Sequence, residues 1–129
     1  MSAASTITHI GQIAINVQDA DRAVDFYQNK LGLPMLFRAG QLAFFQSGQT
    51  RLMLTKPEKP EFDHPSSILY FFVPDLPAAF ATMKSKGVEF IDEPHLIAKM
   101  PDHDLWMAFF KDSEGNTLGL MSEVRSPAK

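Results

Sequence analysis

His95 and His103 fall within one short segment, residues 92–104, together with Glu93, Asp102 and Asp104. Imidazoles beside carboxylates are the groups that move protons near neutral pH, so this segment is a candidate for general acid–base chemistry. No helical His-x-x-x-His spacing locks the two rings together, and the plainer alternative is a polar loop over the mouth of a pocket. Arg51 opens the apolar run Arg51–Thr55, where a guanidinium taken out of water requires an anionic partner. That partner is either a carboxylate or phosphate on a ligand or a carboxylate of the protein, unless Arg51 is simply exposed at the strand end. Tyr70 and Trp106 each offer flat aromatic surface with one polar handle, suited to a flat ligand or equally to core packing. His64 stands among prolines and reads as a solvated loop residue, whereas Asp112 and Glu114 read as turn formers. Cysteine is absent, which removes disulfides, thiolate metal sites and a cysteine nucleophile.

The elements that must position these groups belong to a chain of 129 residues, a length that predicts one domain spanning 1–129. With 45% hydrophobic and 21% charged residues the chain has the composition of an ordinary globular protein. A formal charge of −3 leaves no basic excess to neutralise phosphates, so neither nucleic acid nor an anionic membrane is the expected partner. A small molecule is. The stretch Met1–Thr6 lacks a basic start and an apolar core, and no later apolar run is long enough to span a bilayer. Together with the absence of cysteine this predicts a cytoplasmic location.

Alternation in Ile10–Val17 predicts a half-buried strand, with Ile13, Ile15 and Val17 on one side and Gln12, Ala14 and Asn16 on the other. Asp19 is placed to cap a helix with Ala20, Ala23, Val24, Tyr27 and Leu31 on its apolar face, and Gly32 ends it. Strands are expected at Met35–Arg38, Gln41–Gln46 and Arg51–Thr55, the last two flanking the turn Ser47-Gly48-Gln49. The proline-bearing segment 56–66 reads as a linker. Beyond it the pattern repeats: a strand at Ile68–Val73, a helix capped by Asp75 and stopped by Gly87, then strands at Val88–Ile91, His95–Met100, Leu105–Lys111 and Thr117–Met121.

Val17, Asp19 and Ala23 match Val73, Asp75 and Ala79 at a constant spacing, so the chain reads as a duplication. Module one covers about 7–55 and module two about 67–123, with extra length in Asp92–Asp104. By the period-two rule Ile13, Ile15, Val17, Leu52, Leu54, Leu69, Phe71, Val73, Leu118 and Leu120 face the helices. Gln12, Ala14, Arg51, Met53, Ile68, Tyr70, Gly119 and Met121 then line whatever cavity lies on the opposite face.

The run Gln12–Leu33, with its strand, acidic cap, Phe26-Tyr27 and Leu31-Gly32, resembles the opening of the vicinal oxygen chelate superfamily. That superfamily holds glyoxalase I, bleomycin resistance proteins, epimerases and extradiol dioxygenases. Phe110–Leu120 resembles its closing turn and last strand. The resemblance implies an α+β fold in which two βαβββ modules in tandem form a cup-shaped mixed sheet with the helices outside. It also assigns the superfamily's four metal-ligand positions to Gln12, Met53, Ile68 and Gly119, of which only Gln12 carries an oxygen donor. No metal or other cofactor is therefore expected. The resemblance implies a small-molecule binding protein, as in the drug-resistance branch, for an apolar or aromatic ligand held by Gln12, Arg51, Met53, Ile68, Tyr70, Trp106 and Met121. The alternative is a glyoxalase-, epimerase- or dioxygenase-like enzyme with an altered or metal-free active site, using His95, His103 and Arg51. A homodimer is expected by analogy with the superfamily.

Overall fold

The computed structural model describes residues 6–125; Met1–Ser5 of the polar N-terminal stretch, and residues 126–129, lie outside the described part. Module one runs β1 (Gln12–Asn16), α1 (Ala20–Asp25), β2 (Met35–Ala39), β3 (Leu42–Ser47) and β4 (Thr50–Thr55). The Asp19 carboxylate accepts the Arg22 backbone N–H at 3.1 Å and so starts α1. After Asp25 the helix widens into a π-helical segment, Phe26–Lys30, where the Leu31 N–H donates to the carbonyl five residues back, on Phe26. Gly32, at φ +75°, ends it in the left-handed conformation that a side chain would disfavour.

A linker with a single 3-10 turn at Pro60–Phe62 leads to module two: β5 (Leu69–Phe72), α2 (Leu76–Ser85), β6 (Glu89–Phe90), β7 (His95–Lys99), β8 (Asp104–Lys111) and β9 (Thr117–Val124). Asp75 caps α2 through the Ala78 N–H at 3.1 Å, as Asp19 does α1. Hydrogen bonding divides the expected cup into two sheets, one per module. The first has the order β1-β4-β3-β2 and the second β5-β9-β8-β6, with β7 also on β8. Each sheet pairs its first and last strands in parallel and the others antiparallel. Two strands expected separately, around 88–91 and 95–100, are two pieces of a single broken edge, since β6 and β7 both pair with β8. At the break the Asp92 carboxylate accepts the Phe109 N–H at 2.8 Å.

The alternation of the strands decides what is buried. Ile15, Val17, Leu52, Leu54, Leu118 and Leu120 are sealed beneath the helices in one continuous core with Tyr27, Phe45, Leu76 and Phe110, while Ile13, Leu69, Phe71 and Val73 pack at its margin. The modules are joined by polar contacts as well. The buried Tyr27 hydroxyl donates to the buried Asp112 carboxylate at 2.7 Å, and Asn116 Nδ2 donates to the Asn16 carbonyl at 2.9 Å. Glu114, with no side-chain surface exposed, accepts the backbone N–H groups of Gln18 and Asp19 at 2.8 Å and pairs with Arg22 at 2.7 Å. Among the described residues no helix is long and apolar enough to cross a membrane.

Candidate functional site

Parallel pairing of β1 with β4 sets Gln12 opposite Arg51 and Ala14 opposite Met53. On this open face, away from the helices, Arg51 Nε donates to Gln12 Oε1 at 2.7 Å, and Gln12 Nε2 lies 3.7 Å from the Met53 sulfur. Three residues singled out from the sequence therefore form one contact group. Two more complete it. The Arg51 guanidinium stands 5.3 Å from the centre of the Phe44 ring, and Phe44 stacks on Phe37 at 4.4 Å with 22° between their planes. The sequence held a signal for Phe44: a two-residue turn at Gly48-Gln49 pairs Ser47 with Thr50 and hence Phe44 with Met53. Phe37 is 50% exposed, an aromatic plate offered to solvent.

On the same face, sharing Met53 with this group, lies a cavity of about 620 Å3, floored by Ala14, Leu42, Met53 and Thr55 and walled by Pro57, Phe62, His64 and Ser66 of the linker. Asn16 holds that wall in place. Its side-chain amide donates to the carbonyls of Phe62 at 2.8 Å and His64 at 2.7 Å, and its backbone N–H donates to Ser66 Oγ at 3.1 Å. The strand alternation marks Asn16 only as an outward residue, and its role depends on a segment about fifty residues away, for which no local pattern exists. His64, expected to be a plain loop residue, is a wall residue; its Nδ1 lies 3.1 Å from the Pro65 carbonyl.

The second sheet carries Tyr70 and Met121 on its own open face, and Ile68 just before β5, half exposed. Tyr70 meets Phe109 edge to face at 5.7 Å. Both rings lean over Gly119, where a Cβ would come within 3.0 Å of Tyr70 Cδ2 and 3.2 Å of Phe109 Cε1. Trp106 does not join them. It pairs with Ser122 on β9, and its side turns to the helix face, where it packs against the core beside α2. Its placement follows from register: the turn after Lys111 sets Phe110 against Leu118, and Ala108 and Trp106 share the parity of Phe110.

Of the two candidate histidines, His95 begins β7 and His103 lies beyond its other end, in the turn just before β8, and neither lines the two cavities of about 620 and 680 Å3. His95 Nδ1 lies 2.9 Å from the Glu93 carbonyl and 3.7 Å from Asp92. His103 Nδ1 lies 2.7 Å from Asp102, which Arg125 also contacts at 2.8 Å. Hydrogen bonds from Arg125 and then from His103 hold the pKa of the Asp102 carboxyl at about 2. Arg51 belongs to the other sheet, and its side-chain contacts are with Gln12 and Phe44, not with either histidine.

The four positions matched to metal ligands supply no donor set for a hard divalent ion. Gln12 Oε1 is taken by Arg51, Met53 and Ile68 are apolar, and the space above Gly119 is filled by aromatic rings. Among the described residues no three His, Asp or Glu side chains gather into a metal-binding group.

Residues 9–120 match the model of the Glyoxalase/Bleomycin resistance protein/Dioxygenase superfamily. The chain belongs to that superfamily. It is 30% identical over 120 residues to the uncharacterized protein YetH of Bacillus subtilis (strain 168), covering 85% of this chain and 94% of YetH. A superfamily member from Sphaerobacter thermophilus DSM 20745 superposes with a TM-score of 0.77 at 23% identity, over 92% of this chain and all of that one. TnmS3, described as an antibiotic binding protein from Streptomyces sp. CB03234, superposes with a TM-score of 0.73 at 24% identity, over 93% of this chain and 99% of its own. These two likenesses are of fold.

Proposed function

We propose that this superfamily member is a metal-free binding protein for a flat aromatic molecule carrying a hydrogen-bond acceptor, held on the open face of the first sheet. The observation that carries the reading is the Phe37–Phe44 stack with Arg51 against Phe44, in a contact group that shares Met53 with the lining of the linker-walled cavity. Phe37 is half exposed and offers aromatic surface to a ligand ring lying across the pair, while the guanidinium over Phe44 adds a cation on the same face of the sheet. Gln12 takes only the Nε of Arg51, so its terminal nitrogens are left to grip a carbonyl or carboxylate on the ligand. A volume of about 620 Å3 lies within the range of small-molecule pockets, roughly 300–1,000 Å3. The description of TnmS3 as antibiotic binding agrees with this direction. The acid–base alternative gains no support from His95, His103 and Arg51, since the side-chain contacts of Arg51 are with neither histidine.

The same reading extends to assembly and location. Ile68, Tyr70 and Phe72 leave apolar surface on the open side of the second module, which a second copy of the chain would cover, and we take the protein to act as a cytoplasmic homodimer. Sedimentation at micromolar concentration checks the dimer, and a monomer there removes it.

The test of binding is a thermal-shift screen of aromatic acids, amides and ketones against aliphatic compounds of equal size. A ligand at about a hundredfold excess over its Kd raises the melting temperature of a chain this long by about 10 °C. Arg51→Ala removes most of that rise while leaving the unliganded melting temperature near its original value. No response to any aromatic compound, or an unchanged response in Arg51→Ala, overturns the reading. Stoichiometric divalent metal in the purified protein overturns its metal-free part.

A further inference from the structure

A second pocket lies behind the second sheet, on the helix side and apart from either open face. It encloses about 680 Å3 between the first turn of α2, Trp106 and the end of β9. Phe80, Pro77 and Pro94 add apolar walls, and Ser122 is the polar residue set among them. Ser122 is 1% exposed, and its hydroxyl is the one buried side-chain polar atom without a hydrogen-bond partner among the described residues. Native proteins rarely leave such a group unpaired, because it has given up water for nothing in return. A bound molecule that pairs with it removes the deficit.

The duplication shows that the pocket is particular to module two. Counted from the caps Asp19 and Asp75, Asp21 stands where Pro77 does, and in module one Asp21 is tied to Arg38 of the edge strand β2 by an ion pair of 2.6 Å. In module two a proline replaces that carboxylate, and the edge is broken between β6 and β7, where Pro94 forms part of the wall. The brace across the helix and edge strand is replaced by an opening. Among the described residues Asp75 is the only charged one that lines it, and one of its oxygens is engaged by the Ala78 N–H, so an anion finds no partner there.

We propose that this pocket is a second binding site, for a neutral aromatic molecule with one hydrogen-bonding group, such as a phenol. Its ring packs against Trp106 and Phe80 and its polar group pairs with the Ser122 hydroxyl, which donates or accepts as required. The site is independent of the one proposed on the first sheet.

Trp106 is the sole tryptophan, so 5-fluorotryptophan labelling gives one 19F resonance that reports on this pocket. Titration with 2-naphthol is expected to shift it saturably. Naphthalene should bind about fivefold more weakly for want of one hydrogen bond, and 2-naphthoate more weakly than naphthol. Ser122→Ala is expected to bring 2-naphthol to within about twofold of naphthalene, with the unfolding temperature unchanged or raised, because the hydroxyl it removes is unpaired. Val124→Arg, at the half-exposed rim, should weaken both compounds without unfolding the chain. Absence of a saturable shift, a preference for naphthoate, or a naphthol preference that survives Ser122→Ala would overturn the proposal.

Discussion

Replacing Tyr27 by Phe removes one oxygen from the place where the two modules are tied. The Tyr27 ring is fully buried beside Phe26 and Phe45, and Phe keeps that packing. What is lost is the 2.7 Å bond to Asp112. Burial first, and then the neighbouring Asp112 carboxylate, push the phenol's ionisation well above its usual range, so the hydroxyl stays protonated and donating at any pH at which the protein is folded. Asp112 keeps three other donors: the Glu114 and Asn116 backbone N–H groups, both at 2.8 Å, and Asn116 Nδ2 at 2.9 Å. The loss therefore falls at the low end for a bond to a carboxylate, about 1.5–2 kcal/mol. An unfolding entropy of about 0.3 kcal/mol/K for a chain of this length turns that into a drop of about 5–7 °C in melting temperature. Calorimetry at fixed protein concentration measures it, since an assembling protein melts differently as concentration changes. Asp112→Ala strands four donors at once and should cost about 3 kcal/mol or more. In the double variant the two losses should add to less than their sum by at least about 1 kcal/mol. A Tyr27→Phe protein that melts within about 2 °C of the parent, or strictly additive losses, refutes the claim that this pair joins the modules.

Glu114 supplies a pH dependence. Burial opposes its charge, but the Arg22 guanidinium, the Asp19 and Gln18 N–H groups and the Ser113 hydroxyl together outweigh burial and hold its pKa at about 2. A carboxyl depressed in the folded state contributes stability that is complete above its unfolded value, about 4.3, and is lost as pH falls toward the folded value. The gap in melting temperature between the parent and Glu114→Gln should thus be widest above pH 5, narrow as pH falls below about 4.3 and be mostly gone only by about pH 2; a gap constant over that range sinks the assignment. Asn16→Ala frees the linker wall, so hydrogen exchange across 56–66 should quicken while the core strands keep their protection, at a cost of about 0.5–1.5 kcal/mol, because the two freed carbonyls lie at the surface and take up water. Uniform exchange in both proteins would show that Asn16 does not hold that wall. Gly119→Ala places a methyl about 3 Å from the Tyr70 and Phe109 rings; turning them away should cost about 0.5–1.5 kcal/mol and move the ring proton resonances of both residues, and unmoved rings would contradict that close packing.

What was legible in the sequence was whatever repeats at short range. The caps Asp19 and Asp75, the stops Gly32 and Gly87 and the inward strand positions each obey a local rule of period or conformation, and the duplication lets one module check the other. Contacts whose partners are distant in the chain were not legible in that way. Arg51 is expected either to meet an anion or to be exposed at the strand end; it is exposed, and its protein partner is the neutral oxygen of Gln12, which parallel β1–β4 pairing sets beside it across the sheet. Asn16 and Ser122 are ordinary polar residues of strands until the linker and α2 are laid against them.

The two modules share a sheet order, but their helix starts are held differently, and that difference separates the places where a ligand has room. At α1 the turn of the other module reaches over: Glu114 takes the Gln18 and Asp19 N–H groups and Arg22, while Arg38 braces Asp21 from the edge strand. With the helix side closed by this packing, module one keeps its cavity on the open face, where the linker builds a wall. At α2 the counterpart of Asp21 is Pro77, and the edge strand breaks at the same end of the sheet. Module two therefore opens on its helix side, while rings fill its open face above Gly119. The linker-walled cavity and the Ser122 pocket thus lie on opposite faces of their sheets, and substitutions at Arg51 and Ser122 should accordingly act on different ligands.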